Sequence, residues 1–344
     1  MTRFEFRVIR SGARLCNLDV LQDTAPSISW THDAEIKRTM SLKCKIPQDV
    51  SWLTDQVQAV QITDGVEIPR GRFWITTHPR TVDDDLTESL QLTGYDLGYQ
   101  VRELAKIEQS LTIPAGTVVT AAIQEQLVAS GLTRMLVTAS TETLMTDHTY
   151  DAGETRYAVV QSLLAEINYR DLWFNDRGIA IVEPWAAASA SNVRHHYPAE
   201  SASILTAALE EDDDTFSSAN VFVEIVSSAD LTTDMRAESI NDNPASALSV
   251  VRRGIRVPSF ETLDSISSQA ALQTRADNRK LMSMMGTKTI TFYTGVRDDT
   301  ASRGLNDSIM IDRDGIGLLE ELNWSIDCRS GGLVTHTARK VYYT

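Results

Sequence analysis

Between Gln58 and Arg102 the side chains change character with a period of two. Val60, Ile62, Val66, Ile68, Phe73, Ile75, Leu86, Leu90 and Leu92 are separated by Gln61, Thr63, Glu67, Thr76, Glu88 and Gln91. A helix repeats every 3.6 residues and would scatter this set around its circumference, so only strands with one buried face can use it. Two turn signals divide the stretch. Asp64-Gly65 suits the positive φ values of a tight hairpin, and the acidic run Asp83, Asp84, Asp85 reads as a second turn. At Gly94-Tyr95-Asp96-Leu97 the alternation stops, and a short helical spacing of Leu97, Val101 and Leu104 begins.

The same alternation opens the chain. Phe4, Phe6 and Val8 alternate with Glu5 and Arg7 until Ile9 interrupts them before Ser11-Gly12; Ser27–Trp30 and Thr39–Ile46 follow, closed by Pro47. Strands in quick succession without long helices predict an antiparallel barrel or sandwich for residues 1–104. Residues 105–190 have a different texture and predict a small α/β domain. Thr117–Gly131 sets Val119, Ile123 and Leu127 on one helical face, with Thr117 as N-cap and Gly131 as terminator. Thr155–Asn168 repeats the pattern with Val159, Val160, Leu163, Leu164 and Ile167, and a hairpin follows in Leu172–Val182 around Asn175-Asp176-Arg177-Gly178.

After the loop-like AAASASN at Ala186, residues 191–344 predict a second β domain. Its strands fall at Val221–Ile225, Ser249–Val257, Thr289–Tyr293 and Ile309–Ile311, and a closing hairpin joins Leu322–Ile326 to Gly332–Tyr343 across Arg329–Gly331. A helix is expected over Glu261–Met285, ended by Gly286, with Leu263, Ile266, Ala270, Leu281 and Met285 inward. The predicted fold class is therefore α+β and β-rich: two tube-like antiparallel β-barrel domains with a small α/β domain between them. No short-period repeat is present.

Charge and composition exclude several classes. The 344 residues carry 47 acidic and 32 basic side chains, a formal charge of −15. Such a field disfavours non-specific binding to phosphate backbones or anionic lipid. No apolar run approaches the roughly 18 to 20 residues of a membrane span or forms a signal peptide at the N-terminus, which predicts synthesis in the cytosol and no membrane anchor. Cys16, Cys44 and Cys328 are scattered and odd in number, as expected for reduced thiols rather than a disulfide frame or zinc site.

No enzymatic motif survives inspection. GxSxG, HExxH and a Walker loop are missing; Gly286-Thr287-Lys288 lacks the upstream glycine and Gly315-Ile316-Gly317 the third. His195-His196 would point to opposite faces of a strand, a poor metal chelate, and His78 and His148 are single. The run Glu210, Glu211, Asp212, Asp213, Asp214 lacks the spaced ligands of a calcium loop and reads as solvated loop. A carboxylate-dependent glycoside hydrolase acting on cell-wall or surface glycan is the alternative, with Asp171 and Asp176 or Glu183 and Glu166 as possible pairs roughly 5 to 10 Å apart. A sugar-binding module would expose aromatics, whereas Trp30, Trp74, Trp173 and Trp324 lie within strand patterns. The sequence thus assigns no catalytic, cofactor-binding or metal-binding residue and predicts a non-enzyme with no cofactor.

Five passages in order carry a resemblance: GRFWIT (Gly71–Thr76) followed by LQLTGYDLGYQV (Leu90–Val101), the helix–hairpin Glu154–Trp185, NPASALSVVRRG (Asn243–Gly254), QTRADNRKL (Gln273–Leu281) and GLNDSIMI (Gly304–Ile311). Most of the chain so resembles the baseplate hub, or tail-tip hub, proteins of phage tails and related contractile particles, including late control protein D and the hubs of PBSX-type prophages. The resemblance implies a homotrimeric ring with quasi-sixfold symmetry that adapts a sixfold tail tube to a threefold central spike. Implied partners are the tail tube or distal tail protein, the spike, other baseplate proteins and the tape measure protein, with DNA only as passing cargo. The implied location is the virion tail or a phage-tail-like particle such as a tailocin or contractile injection system, made in the bacterial host cytoplasm. No fused lytic or spike domain precedes Thr344, so puncturing and wall cutting are expected of separate proteins.

Overall fold

A computed structural model describes residues 2–82, 88–198, 205–212, 218–227, 235–284, 288–296, 304, 307–313 and 315–341. The N-terminal strands are β1 (Thr2–Arg10), β2 (Ala13–Asn17), β3 (Ser27–Thr31), β4 (Arg38–Lys45), β5 (Gln56–Thr63), β6 (Val66–Thr77), β7 (Arg80–Val82) and β8 (Glu88–Tyr95). The break in alternation at Ile9 is a bulge: the β1–β2 register shifts between Val8 and Ile9, and both residues are buried. Asp64 and Gly65 take φ values of 49° and 88° and join β5 to β6 with Thr63 opposite Val66. That is the expected two-residue turn. Val66 at its tip is exposed rather than core, because the sheet extends past the apolar cluster there. The run Asp83–Asp85 and Leu86 lie outside the described residues.

The middle of the chain builds a helical turn Gln100–Leu104, β9 (Leu111–Ile113), α1 (Val119–Ala129), β10 (Met135–Val137), β11 (His148–Tyr150), α2 (Arg156–Glu166), β12 (Trp173–Phe174) and β13 (Ala180–Val182). Helix α2 is bounded as its sequence predicts: the Thr155 hydroxyl accepts from the Ala158 amide at 3.1 Å, and Asn168 leaves the helical region with φ of 55°. Helix α1 is not capped by Thr117. Its N-cap is Val118, which has no side-chain cap bond and instead bridges Thr143, so a strand contact replaces the cap. Val119, Ile123 and Leu127 share one core with Val159, Val160, Leu163 and Leu164. Leu104 turns outward and is exposed.

The C-terminal part contains β14 (Val193–Tyr197), β15 (Leu205–Asp212), β16 (Val221–Val226), β17 (Met235–Ile240), α3 (Val250–Arg253), β18 (Pro258–Leu263), α4 (Gln269–Met284), β19 (Thr289–Gly295), β20 (Ser308–Ile311), β21 (Gly317–Asp327) and β22 (Leu333–Lys340). Two expectations fail here. Ser249–Val257 is not a strand: Ser249 Oγ accepts from the Arg252 amide, α3 forms, and Gly254 ends it at φ of 67°, leaving Val251 and Ile255 exposed. Glu261–Leu263 is not helical either. Strand β16 is buried on both faces, and β18 is recruited parallel to it while β17 pairs its other edge. Helix α4 therefore starts at Gln269, with Ala271, Leu272 and Ala276 buried and Ala270 exposed. Ile266 is buried as expected; Met285 lies outside the described residues.

The strands assemble into a β-rich α+β molecule. One sheet runs in the order β15-β19-β22-β21-β3-β4-β8-β6-β5-β1-β2, with β7, β14 and β20 attached to it. Its N-terminal and C-terminal strands meet where β21 pairs antiparallel with β3. A single core crosses that seam, taking Phe6, Ile28, Met40 and Phe73 from one side and Trp324 and Ile326 from the other. Three small sheets complete the fold: β10-β13-β12, β11-β9 and β17-β16-β18.

Candidate functional site

At the seam between β3 and β21 the N-terminal strands, the C-terminal strands and the middle unit meet. Trp324 lies directly opposite Trp30, and Trp30 directly opposite Arg38, so three large side chains occupy one row across β21, β3 and β4. The two indoles stack at 6.2 Å with 12° between planes. The Arg38 guanidinium sits over both rings, at 5.1 Å and 5.5 Å from their centroids, and is wholly buried. From the middle unit, Trp173 of β12 meets Trp30 edge-on at 5.8 Å, and the following turn places Asp176 2.7 Å from Arg38. One cation thus ties three strands and a hairpin together.

Strand β6 is shaped to admit that cation. Opposite Ala59 and Val60, Arg70 is the extra residue of a bulge, and its carbonyl accepts from Arg38 at 3.3 Å. Gly71 beside it has φ of 130°, and a Cβ there would lie 2.7 Å from the Phe73 ring and 3.0 Å from Arg38 Cδ. Asp96 closes the far side: it accepts from the Arg38 amide at 3.1 Å and the Gly98 amide at 2.8 Å. Complete burial raises its pKa to about 6, against the lowering effect of those bonds and of Arg38.

The carboxylate pairs suggested by the sequence do not share a site. Asp176 is held by Arg38, while Asp171 accepts from the buried Lys37 ammonium at 2.8 Å. Glu183 pairs with Arg170, and Glu166 lies 3.2 Å from His148. Each acid has its own partner, so these contacts act as ties between elements. His195 and His196 do face opposite ways: the first is buried 3.5 Å from Asp307, the second exposed 2.7 Å from Asp312. No group of three or more metal-ligating side chains occurs among the described residues. His78 does no more than approach Trp52 at 6.2 Å. Glu210–Asp212 belong to β15 and pair with β19 rather than forming a loop; Asp213 and Asp214 lie outside the described residues. The three cysteines are free thiols; Cys44 and Cys328 are buried, and burial pushes Cys44 up to about 12.

His148 is the residue that sequence reading missed. Its ring reaches Glu166, Ser265 Oγ at 3.1 Å and Tyr150 Oη at 3.4 Å, at the join between α2 and the layer formed by β16, β17, β18 and α4. Ser267 also donates to the Glu166 carbonyl there, and burial raises the Glu166 carboxyl above its ordinary range. Only the spacing of a lone histidine was visible in the sequence, because all its partners come from other elements. Beside the Trp30 seam lies a cleft of about 1050 Å³, walled by Glu67–Pro69, by β10 and β13, and by Asn192, Arg194 and Ser308.

No protein-family model matches the chain, and no curated protein matches it in sequence. Solved structures do match it in shape. A tail protein from Neisseria meningitidis MC58 superposes with a TM-score of 0.67 at 15% identity, over 98% of this chain and 97% of that one. The 43 kDa tail protein of prophage MuSo2 from Shewanella oneidensis gives 0.68 at 10% identity, over 99% and 98%. This chain has the phage tail protein fold. An Escherichia coli component of the type VI secretion system, itself described as similar to the T4 tail proteins gp27 and gp5, matches at 0.54 with 10% identity over 98% of this chain and 77% of that one. The tail-protein fold therefore spans the chain from end to end, and the Trp30–Trp324 seam lies within it.

Proposed function

We propose that this chain is the structural hub of a phage tail or phage-tail-like baseplate, three copies of which close a ring that adapts a sixfold tail tube to a threefold central spike. The observation that carries this reading is the end-to-end likeness in fold to two tail proteins, each covered to 97% or more. The sheet supports it. Among the described residues its two terminal strands, β2 and β15, each pair on one edge only, which leaves a strand edge at both ends of one continuous sheet. Heterologous contacts of that kind close into rings when the rotation allows.

In this reading residues 1–104 and 191–344 are the two tube-like units and residues 105–190 the outer α/β unit. Partners are the tail tube or distal tail protein, the spike, the tape measure protein and other baseplate proteins. DNA is only passing cargo, and −15 per copy keeps a lumen unattractive to it where the acids face inward. A structural rather than hydrolytic role agrees with the separate partners of Asp171, Asp176, Glu166 and Glu183. Light scattering on the purified chain across a concentration series, alone and with its tube and spike partners, tests the ring. A trimer mass supports it. A monomer under all these conditions, together with turnover of cell-wall glycan, would reject it in favour of the glycoside hydrolase.

A further inference from the structure

Three arginines from three separate segments gather at the start of β10. Arg134 Nη1 donates to the Arg177 carbonyl at 3.4 Å, and Gly178 packs on the stem of Arg72, a Cβ built there lying 3.3 Å from Arg72 Cβ. Arg72 Nε is buried without a hydrogen-bond partner, and burial followed by the Arg134 charge lowers its pKa. Across the cleft stands Arg194, exposed like Arg134 and Arg177. None of these four has a carboxylate within salt-bridge distance among the described residues, although the chain as a whole has acids in excess. The acids lining the cleft have other partners: Glu67 has Arg7, Asp176 has Arg38, Glu183 has Arg170, and Asp307 accepts from the Gly304 amide and lies 3.5 Å from His195. Among the described residues, no carboxylate stands within salt-bridge distance to neutralise these arginines.

Strand β10 has an open edge at the same place. Among the described residues it pairs only with β13, using the Arg134 carbonyl and the Thr138 amide, so alternation directs the backbone groups of Met135 and Val137 to the unpaired side. Leu136 projects, exposed, into the cleft. An open edge, an apolar side chain and converging cations match an extended acidic peptide. A long polyanion fits less well. Beyond a Debye length of roughly 8 to 10 Å a short peptide feels little of the distant acids, whereas a nucleic acid would run across them.

We propose that this edge of β10 docks an extended acidic segment of a different protein, which adds a strand along Met135–Val137 and places its carboxylates on Arg134, Arg177 and Arg72. The proposal stands independently of the ring.

The test uses the full chain and fluorescence anisotropy with labelled ten-residue peptides: glutamate alternating with valine and threonine, the same peptide with lysine for glutamate, and the acidic peptide with proline for valine. The acidic peptide should bind, and its affinity should fall at least tenfold both in 0.5 M salt and in the double variant Arg134→Glu/Arg177→Glu. Both positions are exposed, and circular dichroism would establish that the variant folds. The lysine and proline peptides should bind at least tenfold more weakly. Absence of binding by the acidic peptide, or binding indifferent to the double reversal, overturns the proposal. So does equal binding of a single-stranded oligonucleotide, or a double variant that loses self-association while still binding the peptide, which would make the face a contact between copies.

Discussion

Arg38 and Asp176 meet at 2.7 Å in the interior, the arginine wholly buried over the rings of Trp30 and Trp324 and the aspartate delivered by the hairpin of the middle unit. Nε and Nη2 of Arg38 have no hydrogen-bond partner among the described residues, so Asp176, the Arg70 carbonyl, the two indoles and the nearby Asp96 carboxyl are what offset its desolvation. The pair matters for geometry because it joins the seam of the large sheet to the unit that packs on it.

Removing one partner should cost more than removing both. Asp176→Ala leaves a buried cation uncompensated and should destabilise the chain by about 3–5 kcal/mol, while Arg38→Met combined with Asp176→Ala should recover most of that loss. Urea unfolding of the two variants decides it. A double variant no more stable than Asp176→Ala would show that the arginine is not what makes the single loss costly.

Gly71→Ala is expected to destabilise by about 1–3 kcal/mol, since alanine must adopt φ of 130° and its Cβ would press on Phe73 and Arg38. Gly65→Ala, with nothing within 4 Å of its Cβ, isolates the backbone contribution alone. Equal losses in the two variants would mean that crowding at Gly71 is unimportant.

Asp96 predicts an unusual pH dependence. Its carboxyl is raised from 3.8 unfolded to about 6 folded, so between those values the folded chain binds more protons than the unfolded one. Its contribution to stability is therefore largest at low pH and falls as pH rises through 6, by about 2 kcal/mol between pH 4.5 and 6.5. The acids paired with arginine, such as Asp55, Glu67 and Asp327, have lowered values and act in the opposite sense below pH 4. Denaturation midpoints at pH 4.5 and 6.5 should shift between wild type and Asp96→Asn by that amount. Identical pH dependence in the two proteins would remove Asp96 from the account.

Glu224 holds α4 on β16. The carboxylate is fully buried, pairs with Arg275 at 3.3 Å and with Arg279, and Arg275 also reaches Glu261. Glu224→Ala should raise amide exchange throughout Gln269–Met284 at least tenfold while leaving β3, β4 and β21 protected. Uniform loss of protection would instead make α4 part of one global unfolding unit.

How far the sequence could be read depended on whether a residue's partners were local. The Asp64-Gly65 turn, the break in alternation at Ile9, the Thr155 cap and the opposed faces of His195 and His196 follow from neighbours a few residues away, and each is legible; that the break is a bulge is not. Ser249–Leu263 was misread because four-to-six-residue apolar runs have no distinguishing period. There, Ser249 and Gly254 close a helical turn, and β16 then captures the next segment as a strand. His148 looked idle because Glu166, Ser265 and Tyr150 reach it only after the layers close.

The amino-acid order alone determined that this is a β-rich chain with a helical interlude, since side-chain alternation commits each backbone segment to strand or helix before any distant contact forms. Tertiary structure alone decided that Trp30 would lie against Trp324, that Asp176 would find Arg38, and that Arg72, Arg134 and Arg177 would stand together with no salt-bridge partner among the described residues. Strand edges all carry the same amide and carbonyl groups, so nothing local names a distant partner; the choice falls to whichever arrangement buries the apolar faces and matches the buried charges at once.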